Sequence, residues 1–378
     1  MKVLHLFSNA KWTGPAEPAL NLCVALRRAG VDADFACSPD AGDAINKVVE
    51  TARDRGIEPI LSFRLNKHNN PVSNALDRTR LGRYLKTHSY DLIHCHLDND
   101  HRIAGGLARK MAIPLVRSSY YGGGFPGKRR FTRLLATAAH LIEPSHIAGE
   151  HDARVHGLHS SARSVVPGAV DVERFDPVRE VPDGRRWLKI PADAFVVGIV
   201  ARMQTHRHYE DFFEAIRLLV AKHANAHVIV VGRGTRQEQV AKEPVRRFGL
   251  AGHVHFPGYL DGENYVGMLK AFDVKVFLVP GSDGTCRAVR ECMAMRKPVV
   301  VADRGMLREI VDDGRNGLVC DGSAEALFQS LDRLACDRQL VHRMGTAARE
   351  KAVARYSLDA QAAAVKVIYQ RLLDDSDA

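Results

Sequence analysis

The stretch "GSDGTCRAVRECMAMRKPVVV", Gly281 to Val301, sets two carboxylates close to a core segment, with Arg287 and Arg290 between them. Asp283 falls in a loop of small residues, and Glu291 lies eight positions further on among apolar neighbours. Such a loop presents successive backbone N–H groups at the start of a helix, where phosphate or sugar hydroxyls can be cradled. Glu291 would sit about two turns into that helix, at roughly 3.6 residues per turn. A carboxylate accepts hydrogen bonds on both oxygens, which suits a vicinal diol such as the O2 and O3 of ribose. Asp283 would take the hydroxyls of a second ring. The plainer alternative is an acid at a helix N-terminus plus a satisfied buried glutamate.

A second constellation lies earlier, in "VVGIVARMQTHRHYEDF". Arg202 falls at the carboxyl end of a strand, and Arg207 falls just before a helix. Two guanidinium groups near a helix N-terminus suit a diphosphate; the alternative is a pair of solvated loop arginines. "VVGRGTRQEQV" adds a strand, a turn with Gly232 and Gly234, and a helix. It lacks the third glycine of the dinucleotide fingerprint, and a tight turn explains both glycines. In "HCH", His94 and His96 share one face of a strand and could hold a metal; the preferred reading is a strand end near a cleft, with no metal.

These residues need a scaffold, and the chain is long enough to build one: 378 residues, 46% hydrophobic. "KVLHLF", "DADFAC", "YDLIHCH", "IPLVRSS" and "LIEPS" read as strands alternating with helical patterns such as "ALNLCVALRRAG". A Pro-, Gly- and charge-rich stretch, "VVPGAVDVERFDPVREVPDG", reads as a linker, and the alternation then restarts with "FVVGIVAR". The expected fold is α/β, with tandem Rossmann-like doubly wound parallel-sheet domains at 1–175 and 176–356 facing a cleft. A C-terminal helix at 357–378 is expected to cross back to the first domain.

Seven scattered cysteines without a CxxC pair read as reduced thiols. The opening "MKVLHLFSN" is too short and strand-like for a signal peptide, so a cytoplasmic location is expected. Residues 1–170 carry 23 Lys/Arg against 15 Asp/Glu, whereas the remainder carries 31 against 29. A positive front half points to an anionic partner. "GKRRFTRLLATAAHLI" interleaves Lys128, Arg129, Arg130 and Arg133 with apolar residues, a pattern that fits either an anionic membrane surface or a core helix with a basic outer face. Nucleic acid is not expected, since no base-stacking module or basic stripe appears.

Arg202 with Arg207, "VVGRG" and "SDGTCRAVRECMAMRKPVVVADRGMLREIVDDGRNGLV" resemble the donor half of glycosyltransferase family 4, which has the GT-B fold. The family's signature is a Glu, seven residues and a second Glu, here Glu291, before a Pro-Val-Val strand. The resemblance implies a retaining, hexosyltransferase-type enzyme that moves a sugar from a nucleotide-sugar donor, such as a UDP- or GDP-sugar, to a saccharide or lipid-linked acceptor. Bacterial cell-surface polysaccharide or lipopolysaccharide synthesis would be its setting, with no metal required. Arg202 and Arg207 would neutralise the diphosphate, and Glu291 would hold the ribose. Asp283, with Gly284, Thr285, Cys286 and Arg287, would contact the sugar and distal phosphate, and Gly232 would lie on the donor side. Gly14 stands where the family has its glycine-rich first loop, with one glycine missing. Asp283 is one methylene shorter than the usual Glu, and Ser119 or Tyr120 stands nearest the family's histidine. His96 and Tyr120 are the acceptor-side candidates. Two other readings stay open: a nucleotide-sugar epimerase, and a sugar-nucleotide binding protein without activity.

Overall fold

The computed structural model describes residues 1–39, 45–281 and 283–375, with the backbone alone at 283–285. The chain divides into two units, one built from residues 1–169 with the segment from Leu358 onward, the other from Val170–Gly281 with Cys286–Ser357.

The first unit contains a six-stranded parallel sheet in the order β2-β1-β3-β4-β5-β6. Its strands are β1 Lys2–Phe7, β2 Asp32–Cys37, β3 Leu92–Cys95, β4 Leu115–Ser118, β5 His140–Glu143 and β6 Arg163–Val165. Successive residues of a strand face opposite sides. Val3 and Phe7 therefore join one core cluster with Phe35, while Leu4 and Leu6 join another with Ile93. Burial on both faces explains why these strands read as near-continuous apolar runs.

The helix Leu358–Asp374 belongs to this unit. Ala362, Val365, Ile368 and Tyr369 recur at helical spacing, so one face is apolar, and that face is buried in the cluster shared with Leu22 and Leu26 of the helix Ala16–Arg28. Lys366 Nζ donates to the Ala29 carbonyl at 2.7 Å, just past the end of that partner helix.

The basic segment near residue 130 forms only a short helix, Arg129–Leu135. Phe131, Leu134 and Leu135 are buried, and the Lys128, Arg129, Arg130 and Arg133 side chains are exposed. The apolar side is thus committed to the protein's own core, and what faces solvent is charge. Among the described residues no helix is long and apolar enough to cross a membrane.

The second unit holds β7 Phe195–Val200, β8 Ala226–Val231, β9 Val254–Gly258, β10 Val274–Phe277, β11 Val299–Ala302 and β12 Gly317–Cys320. Their order is β12-β11-β10-β7-β8-β9, all parallel. The strand sequence reverses between β7 and β10, and such a reversal opens a crevice beyond the carboxyl ends of the two strands. Residues 170–175, which linker composition assigns to the first domain, pack with this unit instead. Val170 N–H donates to the Tyr356 carbonyl at 2.7 Å, and Phe175 is in the core. Arg349 explains the difference: its Nη1 donates to the carbonyls of Val172, Phe175 and Ala294, and its Nη2 pairs with Asp176 at 2.7 Å.

Candidate functional site

In the second unit, Arg202 and Arg207 follow β7 and Glu291 lies on the helix that follows β10, the two strands between which the crevice opens. Arg202 lies two residues past the end of β7 and is exposed. A single 3₁₀ turn, Thr205–Arg207, then leads to His208, whose left-handed backbone (φ 55°) starts the helix Tyr209–Lys222. That turn brings Arg207 back toward the crevice, half-buried. Burial, and then the neighbouring Arg202 guanidinium, holds Arg207 below the usual arginine range, while Tyr209 and Cys286 act the other way. Arg207 Nε is buried with no hydrogen-bond partner among the described residues. A buried donor without a partner costs about 1–3 kcal/mol. Two mutually repelling cations and an unspent donor make this a place that gains from an anion.

On the other flank, the helix Asp283–Ala294 follows β10. The side chains of Asp283, Gly284 and Thr285 lie outside the described residues. Cys286 is buried, and Arg287 pairs through Nε with Glu291 Oε1 at 3.2 Å, one turn along the helix. Glu291 is only 4% exposed. Its Oε2 accepts from the Tyr265 hydroxyl at 2.5 Å. Burial, and then the Glu291 carboxylate, pushes the Tyr265 phenol well above its usual range, so it stays a donor. Tyr265 comes from the helix Gly262–Lys270. Nothing in its local sequence marks it, because its role depends on a residue in a different helix. Lys275 on β10 is also fully buried, and burial pulls its ammonium down to about 8, with Glu291 acting against that shift and Arg207 adding to it. Its Nζ donates to the Val276 carbonyl at 2.9 Å.

The glycines separate into two kinds. A Cβ on Gly232 (φ +136°) would stand 2.2 Å from the Ala201 carbonyl oxygen, and one on Gly234 would stand 2.1 Å from that of Met203. Both glycines let the loop after β8 pack on the loop that carries Arg202, so their first effect is to position that arginine. Gly14 differs, since a Cβ there would meet nothing within 4 Å.

The first unit holds a buried polar column at the carboxyl ends of β1, β3 and β4. His5 Nδ1 and His96 Nε2 are 2.9 Å apart, and His96 Nδ1 bonds the Tyr120 hydroxyl at 2.8 Å. His94 bonds Ser118 Oγ at 2.8 Å through Nε2, and the Tyr369 hydroxyl through Nδ1. His96 stacks with both His94, inclined by only 12°, and His5, while His5 is tilted by 32° to His94. Burial pulls His5 down to about 3 and the other two well below their usual range, so all are neutral near pH 7. The nitrogens are close enough for a metal. Stacked rings, however, do not aim their lone pairs at one point, and both nitrogens of His94 and His96 already have partners. A small pocket beside Tyr120 is lined by Ser118, Ser119 and, from the C-terminal helix, Gln361 and Val365. The sequence marks His96 and Tyr120, and the structure joins them by a hydrogen bond; His5 and Tyr369 carry no local signal.

At the end of β5, Glu143 is fully buried. Burial, and then the Asp152 carboxylate, pushes its carboxyl up to about 9, so it keeps its proton at neutral pH. An acid raised in the folded state binds a proton that the unfolded chain has released. Stability therefore falls as pH climbs from the unfolded value to the folded one, by about 1.4 kcal/mol per pH unit. Glu143→Gln should remove this dependence. Denaturation of both proteins from pH 7 to about 9 should show the wild type losing ground to the variant at that slope; parallel curves would mean that Glu143 is ionised throughout.

Two doubly wound parallel sheets in tandem, one with an arginine pair at its switch point, define the GT-B class of architecture. Two family models agree: "Glycosyl transferases group 1" matches residues 182–351, and "Glycosyltransferase Family 4" matches residues 13–174. The chain belongs to this glycosyltransferase family. It is 30% identical over 218 residues to a D-inositol 3-phosphate glycosyltransferase of Corynebacterium jeikeium, a match that takes in 55% of this chain and about half (51%) of that relative's length. It is also 30% identical over 274 residues to a GDP-mannose-dependent alpha-mannosyltransferase of Mycolicibacterium smegmatis, covering 66% of each chain. Among solved structures, Anabaena HepE in complex with UDP and glucose superposes with a TM-score of 0.78 at 19% identity, over 98% of this chain and 100% of that one.

Proposed function

We propose that this protein is a retaining glycosyltransferase that moves a hexose from a nucleotide-sugar donor to a saccharide or lipid-linked saccharide acceptor, in the synthesis of a bacterial surface polysaccharide or lipopolysaccharide. The observation that carries this reading is the Arg202–Arg207 pair with its unspent buried donor at the switch point of the second sheet. A nucleoside diphosphate would supply the missing acceptor and relieve the repulsion. As the bond to the sugar breaks, charge builds on the leaving diphosphate, and preorganised cations stabilise that charge more than they stabilise the bound donor. The same two guanidiniums bring the positive charge that a metal would otherwise provide. Glu291, held by Tyr265 and Arg287, is shaped to accept the ribose hydroxyls. Asp283 would act nearer the transferred ring, and His96 with Tyr120 would serve the acceptor side. The relatives named above act on an inositol phosphate and from GDP-mannose, which supports a nucleotide-sugar donor and a polyol or saccharide acceptor. Seven free thiols, six of them buried, suit a reducing compartment such as the cytoplasm, and the exposed arginines of the first unit suit contact with an anionic membrane face.

A thermal-shift panel of UDP-, GDP-, ADP- and CMP-sugars tests the donor class. A ligand at one hundred times its dissociation constant stabilises the fold by about 2.7 kcal/mol. One nucleotide should stand out, and a flat panel would remove the proposal. Incubation with donor alone separates the epimerase reading, in which the sugar would change without any acceptor.

Glu291→Gln should raise the donor KM by roughly tenfold or more while changing kcat little, because a charge-assisted hydrogen bond is worth about 1.5–3 kcal/mol and this one is made equally in ground and transition states. Steady-state kinetics decide it: a fall in kcat at unchanged KM would assign Glu291 to the chemical step.

A further inference from the structure

The helix Tyr209–Lys222 starts beside the arginine pair and has 14 residues, so at about 1.5 Å per residue its far end lies roughly 20 Å away, just before the start of β8. His223 takes the C-cap position there. The helix Ala324–Cys336 ends at the same place, and its last turn carries Asp332 and Cys336 four residues apart on one face. His223 Nε2 lies 2.7 Å from Asp332 Oδ1, Cys336 Sγ lies 3.8 Å from Asp332 Oδ1, and Cys336 Sγ lies 3.9 Å from His223 Nε2.

We propose that His223, Asp332 and Cys336 form a divalent transition-metal site of the zinc class. Zinc binds nitrogen and oxygen at about 2.0–2.2 Å and thiolate sulfur at about 2.3 Å. In a tetrahedral arrangement, the ligand atoms then stand roughly 3.3–3.6 Å apart. The sides of the observed triangle bracket that range, so small rotations suffice. All three atoms lie within 3.9 Å of one another. The mixed imidazole, carboxylate and thiolate set favours zinc over magnesium or calcium.

The two oxygens of Asp332 are divided between Lys222 and the other two ligands. Lys222 Nζ occupies Oδ2 at 2.8 Å, which leaves Oδ1 to face the other two ligands. Two helix C-termini meet here, and the negative end of each helix dipole favours a cation. Cys336 is exposed, whereas the other six cysteines are buried, so entry is open and a water can complete the set. On binding, the Cys336 thiol releases its proton to solvent, and His223 gives up the Nε2 proton that it donates to Asp332 Oδ1, the neutral ring then carrying its proton on Nδ1. The ion would clamp the two helix ends and shield the thiol, leaving the arginine pair untouched.

The test uses the full chain, freed of metal by a chelator and given zinc alone. Wild type should bind one more zinc per chain than Cys336→Ser, and zinc should slow alkylation of Cys336 at least tenfold. Lys222→Ala should tighten zinc binding by removing a competing cation, whereas a mere ion-pair clamp would only be loosened. Cobalt should give a thiolate charge-transfer band that Cys336→Ser lacks. Equal zinc stoichiometry in wild type and Cys336→Ser, or alkylation at the same rate with and without zinc, overturns the proposal. Both variants sit at solvent-facing helix ends, and their unchanged thermal melts and nucleotide binding would keep this outcome separate from the glycosyltransferase reading.

Discussion

Arg207→Ala should weaken binding of the cognate nucleoside diphosphate by about one to two orders of magnitude without lowering the stability of the free protein. A charge-assisted contact is worth about 1.5–3 kcal/mol, which sets the size of the loss. The second half of the expectation follows from what the side chain does in the absence of ligand. Burial and Arg202 both work against its charge, and its Nε has no partner among the described residues. Removing it lifts a penalty, so the melting temperature of the free variant should match or exceed that of the wild type. A residue kept for structure would show the opposite pattern. Turnover should fall further than affinity, because charge on the leaving diphosphate grows toward the transition state, and loss of one preorganised donor there costs roughly a hundredfold or more. Arg202→Ala should show the same direction with a smaller loss, since Arg202 is exposed and better screened. Calorimetry with UDP, GDP and ADP, beside a melt without ligand, measures both halves. Binding that survives intact in Arg207→Ala would move the phosphates elsewhere.

The contrast between Arg207 and Tyr265 shows what the linear sequence can carry. Strands buried on both faces have to be apolar almost throughout, so "DADFAC" and "VKVF" announce themselves, and a return to alternation after a Pro/Gly-rich stretch announces a second sheet. Arg202 and Arg207 could be singled out because they lie between a strand end and a helix start, and Glu291 because it lies about two turns into the helix that follows β10. Tyr265 could not be, because its hydroxyl matters only through Glu291, 26 residues away. The same holds for His5 with His96, 91 residues apart, and for Glu143 beside Asp152. Buried polar groups must find partners, but the partner is chosen by tertiary packing and leaves no period in the sequence. Linker composition misplaced residues 170–175 for a related reason: loop chemistry says where regular structure stops, while Arg349, far along the chain, decides which core the loop joins.

Ending the chain at Ser357 should unfold the first unit and spare the second. Ser357 pairs with Val170 inside the second unit, so the cut falls where that unit is complete. What is lost is the helix Leu358–Asp374, whose Val365, Ile368 and Tyr369 are buried in the first unit's core beside the helix Ala16–Arg28. Burying each such side chain contributes about 1.5–3 kcal/mol, and the total approaches the roughly 5–15 kcal/mol by which a whole domain is stable. The damage is also polar, since removing Tyr369 leaves His94 Nδ1 in the core without the hydroxyl that it bonds. Hydrogen exchange resolves the outcome by strand: amides of β1, β3 and β4 should lose protection, while those of β7, β10 and β11 keep it. Tyr369→Phe is the milder version, retaining the apolar contact and deleting only the hydroxyl, and should cost about 1–3 kcal/mol of the first unit's stability. If the truncated chain keeps β1 protected and melts as the wild type does, the C-terminal helix is an appendage and the apolar face it presents contributes nothing to the core it covers.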